Sequence, residues 1–222
     1  MKYILSGEVD DVSTAVQAFL VSDLAPNADP CECTPPNETR EYYCYNEEVD
    51  TVLRRHEEAL RHLFNRACQL GGVTVAGGLT NKLISFPNYK DFIKAFDLID
   101  ADLTERDATL CFVWARMLTI DEQHEKSRIK WTHLSFEDFL EALCRLACLK
   151  AYPTDKEIED YGAQDAPRYL HALEMDDPPE YERLQRMHGA QWGRPSDRQP
   201  VHRSVEHLCH YLTWRVQGGK EG

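Results

Sequence analysis

The sequence has no apolar run that approaches the roughly 20 residues of a membrane-spanning helix. Its first residues, from Met1 to Glu8, turn acidic too soon for a secretory signal. We therefore expect a cytoplasmic protein whose eight cysteines stay reduced. Most of these cysteines fall inside helical patterns, where we expect small buried apolar residues: Cys68, Cys111, Cys144 and Cys148.

Basic residues are also scarce. The chain has 25 Lys and Arg against 38 Asp and Glu, which gives a formal net charge of -13. Such a surface repels phosphate backbones and anionic lipid, so neither nucleic acid nor a membrane is an expected partner. The partners that remain are other proteins.

The motifs of common enzyme classes are missing. The sequence contains no Gly-x-Ser-x-Gly, no His-Glu-x-x-His, no phosphate-binding glycine loop and no dinucleotide fingerprint. We therefore expect no catalytic residues and no cofactor. An enzyme with an unrecognised helical active site stays open as a third possibility.

Apolar residues at helical spacing predict a mainly α protein. Prolines interrupt the chain over 24–45, and six more are spread over 151–200. The composition therefore predicts three parts: an N-terminal helix (8–23) with an irregular arm over 1–46, a helical domain over 47–150, and a Pro-rich extended arm over 151–222 with a last helix near 202–217. Within the helical domain we expect helices over about 47–70, 87–98, 104–118 and 135–150, and within the arm short helices near 155–161, 166–174 and 178–188.

Two stretches of the helical domain look like copies of one another. Ile84–Phe96 and Leu134–Leu143 each begin with an apolar-Ser-Phe triplet and continue into an aromatic-x-Asp-Phe-aliphatic-x-Ala-apolar helix. Each copy also follows a helical stretch and a loop. This pattern predicts two helix-loop-helix units whose loops meet through a short β-bridge.

These residues resemble the EF-hand family. Leu134 matches the aliphatic bridge position of the twelve-residue loop, and Asp138 matches its last, acidic ligand. The resemblance implies a paired helix-loop-helix core with irregular N- and C-terminal extensions. An unrelated helical bundle is the alternative, since periodicity alone does not fix topology.

Both loops lack the oxygen ligands of the family. Calcium takes six to eight oxygens, and the matching positions offer few, so calcium binding is not expected. In the second loop these positions are Ser127, Ile129 and Trp131, and Thr132 stands where the family requires glycine. In the first loop they are Gly77, Leu79 and Asn81, with Asn88 in place of the acid.

Degenerate EF-hand pairs with proline-rich arms are similar to components of ciliary and flagellar assemblies. The resemblance implies a non-enzymatic structural adaptor of the cytoskeleton, within the axoneme of a cilium or flagellum, that binds other proteins of a multi-subunit assembly. The alternative is a calcium- or zinc-responsive regulatory subunit.

Two sets of residues are candidates for binding. Cys31, Cys33 and Cys44 are weak zinc candidates, and a plain loop is favoured because a fourth ligand is missing. His207 and His210 share a helix face that we expect to be exposed.

Aromatic and Met residues of the C-terminal arm are candidate partner contacts, or they pack on the chain's own core: Tyr161, Tyr169, Tyr181, Met187 and Trp192.

Overall fold

The computed structural model describes most of the chain as helix. The prediction of a mainly α protein is therefore confirmed. No helix in the described part is both long and apolar enough to cross a membrane. The chain divides into two compact units, Met1–Pro35 and Pro36–Gly222. The described residues are 11–24, 36–70, 83–116, 131–187 and 195–219.

The first unit contains helix α1, Val12–Phe19, which continues as a π-helical turn over Leu20–Leu24. Asp11 caps α1, because its carboxylate accepts hydrogen bonds from the amide and the hydroxyl of Thr14 at 2.9 and 2.6 Å. The predicted N-terminal helix is confirmed over this stretch. Four apolar side chains at helical spacing are exposed: Val12, Val16, Phe19 and Leu20.

The second unit begins with a short helix, α2, Pro36–Thr39, followed by a π-helical turn over Arg40–Cys44. The predicted irregular arm over 1–46 is therefore wrong for residues 36–44. The next helix, α3, covers Glu47–Arg55. Asn46 caps it and accepts the Val49 amide at 2.9 Å.

One predicted helix over 47–70 is two helices in the structure. Helix α3 ends at Arg55 and helix α4, Glu57–Gln69, follows after His56, which has φ -100° and ψ 7°. The buried stripe continues across this break, with Val52 before it and Leu60 after it. The sequence hides the break because both helices keep the same apolar period.

The two similar stretches each form a short strand followed by a helix. Strand β1, Ile84–Ser85, leads into α5, Phe86–Ala95, and strand β2, His133–Leu134, leads into α7, Phe136–Leu149. The strands pair antiparallel, with Ile84 opposite Leu134 and Ser85 opposite His133. The predicted bridge between the two loops is therefore present.

Helix α6, Glu105–Ala115, lies between the two stretches and packs against α7. It begins with the predicted capping box. The Thr104 hydroxyl accepts the Asp107 amide at 3.2 Å, and the Asp107 carboxylate accepts the Thr104 amide at 3.0 Å. The helix ends before the predicted Leu118, which lies outside the described residues.

The C-terminal region is helical at the predicted places. It contains α8, Asp155–Tyr161; α9, Ala166–Asp176; α10, Pro178–Met187; and α11, Val201–Val216. The prolines start helices instead of breaking them, because Pro167 and Pro178 occupy first-turn positions, where proline is favoured.

This region does not form a separate extended arm. Its apolar side chains belong to the same core as Phe92 and Phe139 of the two similar stretches. The predicted boundary between residues 150 and 151 consequently falls inside one compact unit. The C-terminal members of this core include Tyr152, Ile158, Leu170, Leu173, Leu184, Val205, Leu208 and Leu212.

Aromatic rings fill the centre of the core. The Phe139 ring lies 5.7 Å from that of Phe64 and 5.4 Å from that of Phe92, measured between centroids. These distances are typical of favourable tilted and edge-to-face pairs. Helix α11 packs on α7 and on α3, which brings the end of the chain beside the break at His56.

Candidate functional site

A cleft of about 650 Å³ opens between the α3–α4 break and the last helix. Helices α3 and α4, the start of α9 and the end of α11 all line it. In a chain with net charge -13, its walls concentrate imidazole and guanidinium groups: His56, His62, His210, Arg55 and Arg168. Two carboxylates, Glu58 and Asp165, also line the cleft, and Asp165 pairs with Arg168, so the acidic excess of the whole chain is absent from this lining.

Three potential metal ligands meet beside this cleft. His56, Glu206 and His210 each offer a ligand atom, and these atoms lie within 4.8 Å of one another. Glu206 and His210 are four residues apart on α11, so they share one face of the helix. The His56 and His210 rings meet edge to face with centroids 5.3 Å apart.

His56 has an unsatisfied polar atom. Its Nε2 is buried and has no hydrogen-bond partner among the described residues. Burial of such an atom without a partner costs free energy unless a ligand satisfies it. The break in the helix is what places this ring against α11, since His56 has left the regular helical backbone.

The Glu206 carboxylate is buried and binds two arginines. Arg55 donates to Oε1 and Arg203 donates to Oε2. Arg203 is held in turn by Asp155, with Nε to Oδ2 at 2.8 Å. The Arg55 side chain is 57% exposed, whereas that of Arg203 is 32% exposed and is also bound to Asp155, so Arg55 is the more easily displaced partner.

Burial keeps two imidazoles of this region neutral. It lowers the pKa of His56, and the neighbouring His210 lowers that pKa further, although Glu206 raises it. Burial, with help from Arg203, also lowers the pKa of His207 to about 4. Near pH 7 the His56 ring is neutral, which is the form that binds metal ions.

This donor set suits a transition ion. Imidazole nitrogen is a good ligand for zinc, copper and nickel, whereas calcium requires a shell of oxygens. Two imidazoles with one carboxylate match the three-ligand sets of open zinc sites, in which water takes the fourth position.

A second cluster of charge is structural. The Glu141 carboxylate is fully buried and accepts hydrogen bonds from Arg40 at 2.8 Å, from Arg145 at 2.9 Å and from the Tyr45 hydroxyl at 2.7 Å. Burial, together with this last bond, raises the pKa of Tyr45 well above its usual range. The network ties the π-helical turn over Arg40–Cys44 to α7.

The predicted cysteine candidates are only partly described. Cys31 and Cys33 lie outside the described residues, and Cys44 is buried in the core. A hydrogen bond with Cys44, together with burial, raises the pKa of Cys144 well above its usual range. The Cys44 thiol therefore lies against Cys144 in the core.

The predicted partner contacts occupy different environments. Tyr169 is buried, and Tyr181 is half-buried and donates a hydrogen bond to Asp100 at 2.8 Å, so both pack within the chain. Tyr161 and Met187 are exposed. Trp192 lies outside the described residues.

The expectation of an exposed histidine face is wrong for His207, which is buried. Helix α11 is covered by α3, α7 and α9, so more of its surface is enclosed than its Leu and Val stripe suggests. The sequence analysis also missed the His56–Glu206–His210 cluster. The Glu206–His210 spacing was visible, but His56 comes from a distant part of the chain.

No protein-family model, curated protein or solved structure matches the chain.

Proposed function

We propose that this protein is a non-enzymatic structural adaptor built on a calcium-independent, EF-hand-like pair of helix-loop-helix units. The order of elements supports the pairing, because α4–β1–α5 and α6–β2–α7 repeat the sequence helix, strand, helix. The pairing of Ile84 with Leu134 joins the two units at the place where EF-hand loops meet.

The starts of the two exiting helices also match. Ser85 caps α5 and accepts the Asn88 amide at 3.3 Å, and Ser135 caps α7 and accepts the Asp138 amide at 3.2 Å. Asp138, which would be the acidic calcium ligand, is buried and accepts the Ser135 amide at 2.9 Å. Asn88 stands at the corresponding place in the first unit and donates to the Cys68 carbonyl.

The observation that carries the adaptor role is the exposed apolar face of α1. Val12 is 68% exposed, Val16 51%, Phe19 46% and Leu20 49%. Apolar side chains that share one helix face and remain exposed are typical of protein-binding segments. An amphipathic helix of this kind binds by laying its apolar face in a groove of a partner protein.

The cellular setting follows from the resemblance stated above. The adaptor would belong to a cytoskeletal assembly of the cilium or flagellum, where α1 attaches the chain to a neighbouring protein. The acidic surface is compatible with this setting if partner proteins, and not the acidic microtubule wall, supply the contact.

The experiment compares two double variants of the tagged full chain in ciliated cells. Val16→Asp/Phe19→Asp adds two charges to the apolar face, and Ser13→Asp/Gln17→Asp adds the same charges to the exposed polar face. After detergent extraction, we expect the native chain and the polar-face variant in the axonemal fraction and the apolar-face variant in the soluble fraction. Equal retention of both variants, or a native chain that is fully soluble, would contradict the proposal.

A further inference from the structure

We propose that His56, Glu206 and His210 form a zinc-binding site with water as the fourth ligand. The site does not depend on the adaptor role, since its three residues belong to the second unit and helix α1 belongs to the first. It also differs from the cysteine candidates that the sequence suggested.

The three ligand atoms are close to the spacing that zinc needs. Zinc bonds of about 2.0–2.1 Å in a tetrahedron place ligand atoms roughly 3.3 Å apart. The ligand atoms lie within 4.8 Å of one another, so closure requires movements on the order of 1–1.5 Å. Rotation of the Glu206 side chain and of the two rings can supply movements of this size.

The scaffold of the site is rigid on one side. Glu206 and His210 belong to α11, whose Leu208 and Leu212 are fully buried in the core. Ligands held by packed helices keep their geometry better than ligands on loops. On the other side, the unpartnered Nε2 of His56 points to a missing ligand, because a buried nitrogen of this kind is normally satisfied.

Two arginines have different roles in this scheme. Arg203 stays on Oε2 of Glu206, anchored by Asp155, and holds the carboxylate in place as an outer partner. Arg55 occupies Oε1, the oxygen that would bind zinc, and must leave it. Its exposed side chain can move into solvent, so the cost is limited to that of a partly exposed ion pair.

The fourth coordination position faces the cleft. His56 and His210 both line this cleft, which has a volume of about 650 Å³ and admits water. Zinc bound there would tie the α3–α4 break to the last helix, two parts that are distant in sequence.

The test is calorimetric titration of zinc into the full chain near neutral pH, with a reductant that does not bind metals. We expect one zinc per chain. His56→Gln and His210→Gln should each weaken binding by roughly tenfold or more, since each removes a ligand. His62→Gln changes a histidine of the same cleft that is not a proposed ligand. The zinc affinity of this variant should therefore match that of the native chain.

Two further variants sharpen the assignment. Arg55→Gln should bind zinc more tightly, because the competing cation is gone. Cys31→Ser/Cys33→Ser should bind as the native chain does. Circular dichroism of each variant shows whether it is folded.

Cobalt reports the ligand type directly. Cobalt at this site should give visible bands of a four-coordinate ion without thiolate charge-transfer absorption. Absence of saturable zinc binding would overturn the proposal. A thiolate band that persists in the His56→Gln/His210→Gln variant would also overturn it, since the ion would then be bound to cysteine.

Discussion

Ile84 lies directly opposite Leu134 in the two-stranded antiparallel sheet, and both side chains are completely buried. The strands that join the two helix-loop-helix stretches are therefore anchored in the core. A sheet of two short strands has little stability of its own, so burial of these side chains has to hold it.

Leu134→Ala should lower the free energy of unfolding by about 2–5 kcal/mol, because it leaves a cavity at the bridge. Val113→Ala is the control, since Val113 is exposed on α6 and its truncation should change stability by about 0.5 kcal/mol or less. Urea unfolding measures both. If both variants lower the free energy of unfolding by the same small amount, burial of Leu134 does not hold the two strands together.

Glu141→Gln should lower the free energy of unfolding by about 3–5 kcal/mol, because it leaves the buried charges of Arg145 and Arg40 poorly compensated. Glu57→Gln is a matched control. Glu57 also pairs with an arginine four residues later, Arg61, but on the exposed surface, so its loss should cost less than about 1 kcal/mol. If urea unfolding gives both variants the same loss in free energy of unfolding, the buried Glu141 network contributes no more to stability than the exposed Glu57–Arg61 pair.

Tyr181→Phe should change the acid stability through Asp100. Burial raises the pKa of Asp100, but hydrogen bonds from Tyr181 and from the Ala101 amide hold it below its usual range. Ionised Asp100 therefore stabilises the fold above about pH 4, the pKa of an unfolded Asp, and this stabilisation is lost as the pH falls through the lower folded pKa.

Removal of the Tyr181 hydroxyl should cost about 1 kcal/mol at pH 7, and the difference from the native chain should shrink as the pH falls below 4. Tyr161→Phe is the control, because its hydroxyl bonds Asp176 at 3.3 Å on the surface. Urea unfolding at several pH values measures the difference in free energy of unfolding between each variant and the native chain. A loss that is independent of pH would mean that the Tyr181 hydroxyl does not act through the charge of Asp100.

Local chemistry in the sequence predicted much of the fold. The capping residues Thr104 and Ser135 mark helix starts because their hydroxyls satisfy free amides, and these contacts depend only on neighbouring residues. The repeated apolar-Ser-Phe triplet also located the bridge at Ile84 and Leu134.

The remaining features depend on long-range packing. The break at His56 leaves no signal in the apolar period, and first-turn prolines such as Pro167 were mistaken for signs of an extended arm. Burial of His207 follows from helices that cover α11, which no local pattern specifies. His56 comes close to Glu206 for the same reason, because α3 packs on α11.

We propose that the paired scaffold works without calcium. The most direct test of this proposal is calorimetric titration of calcium into the metal-free full chain. We predict no saturable binding, because the loops lack the oxygen ligands that the ion requires and the Asp138 carboxylate already accepts the Ser135 amide. A saturable isotherm at micromolar calcium, with a raised unfolding temperature, would contradict the account.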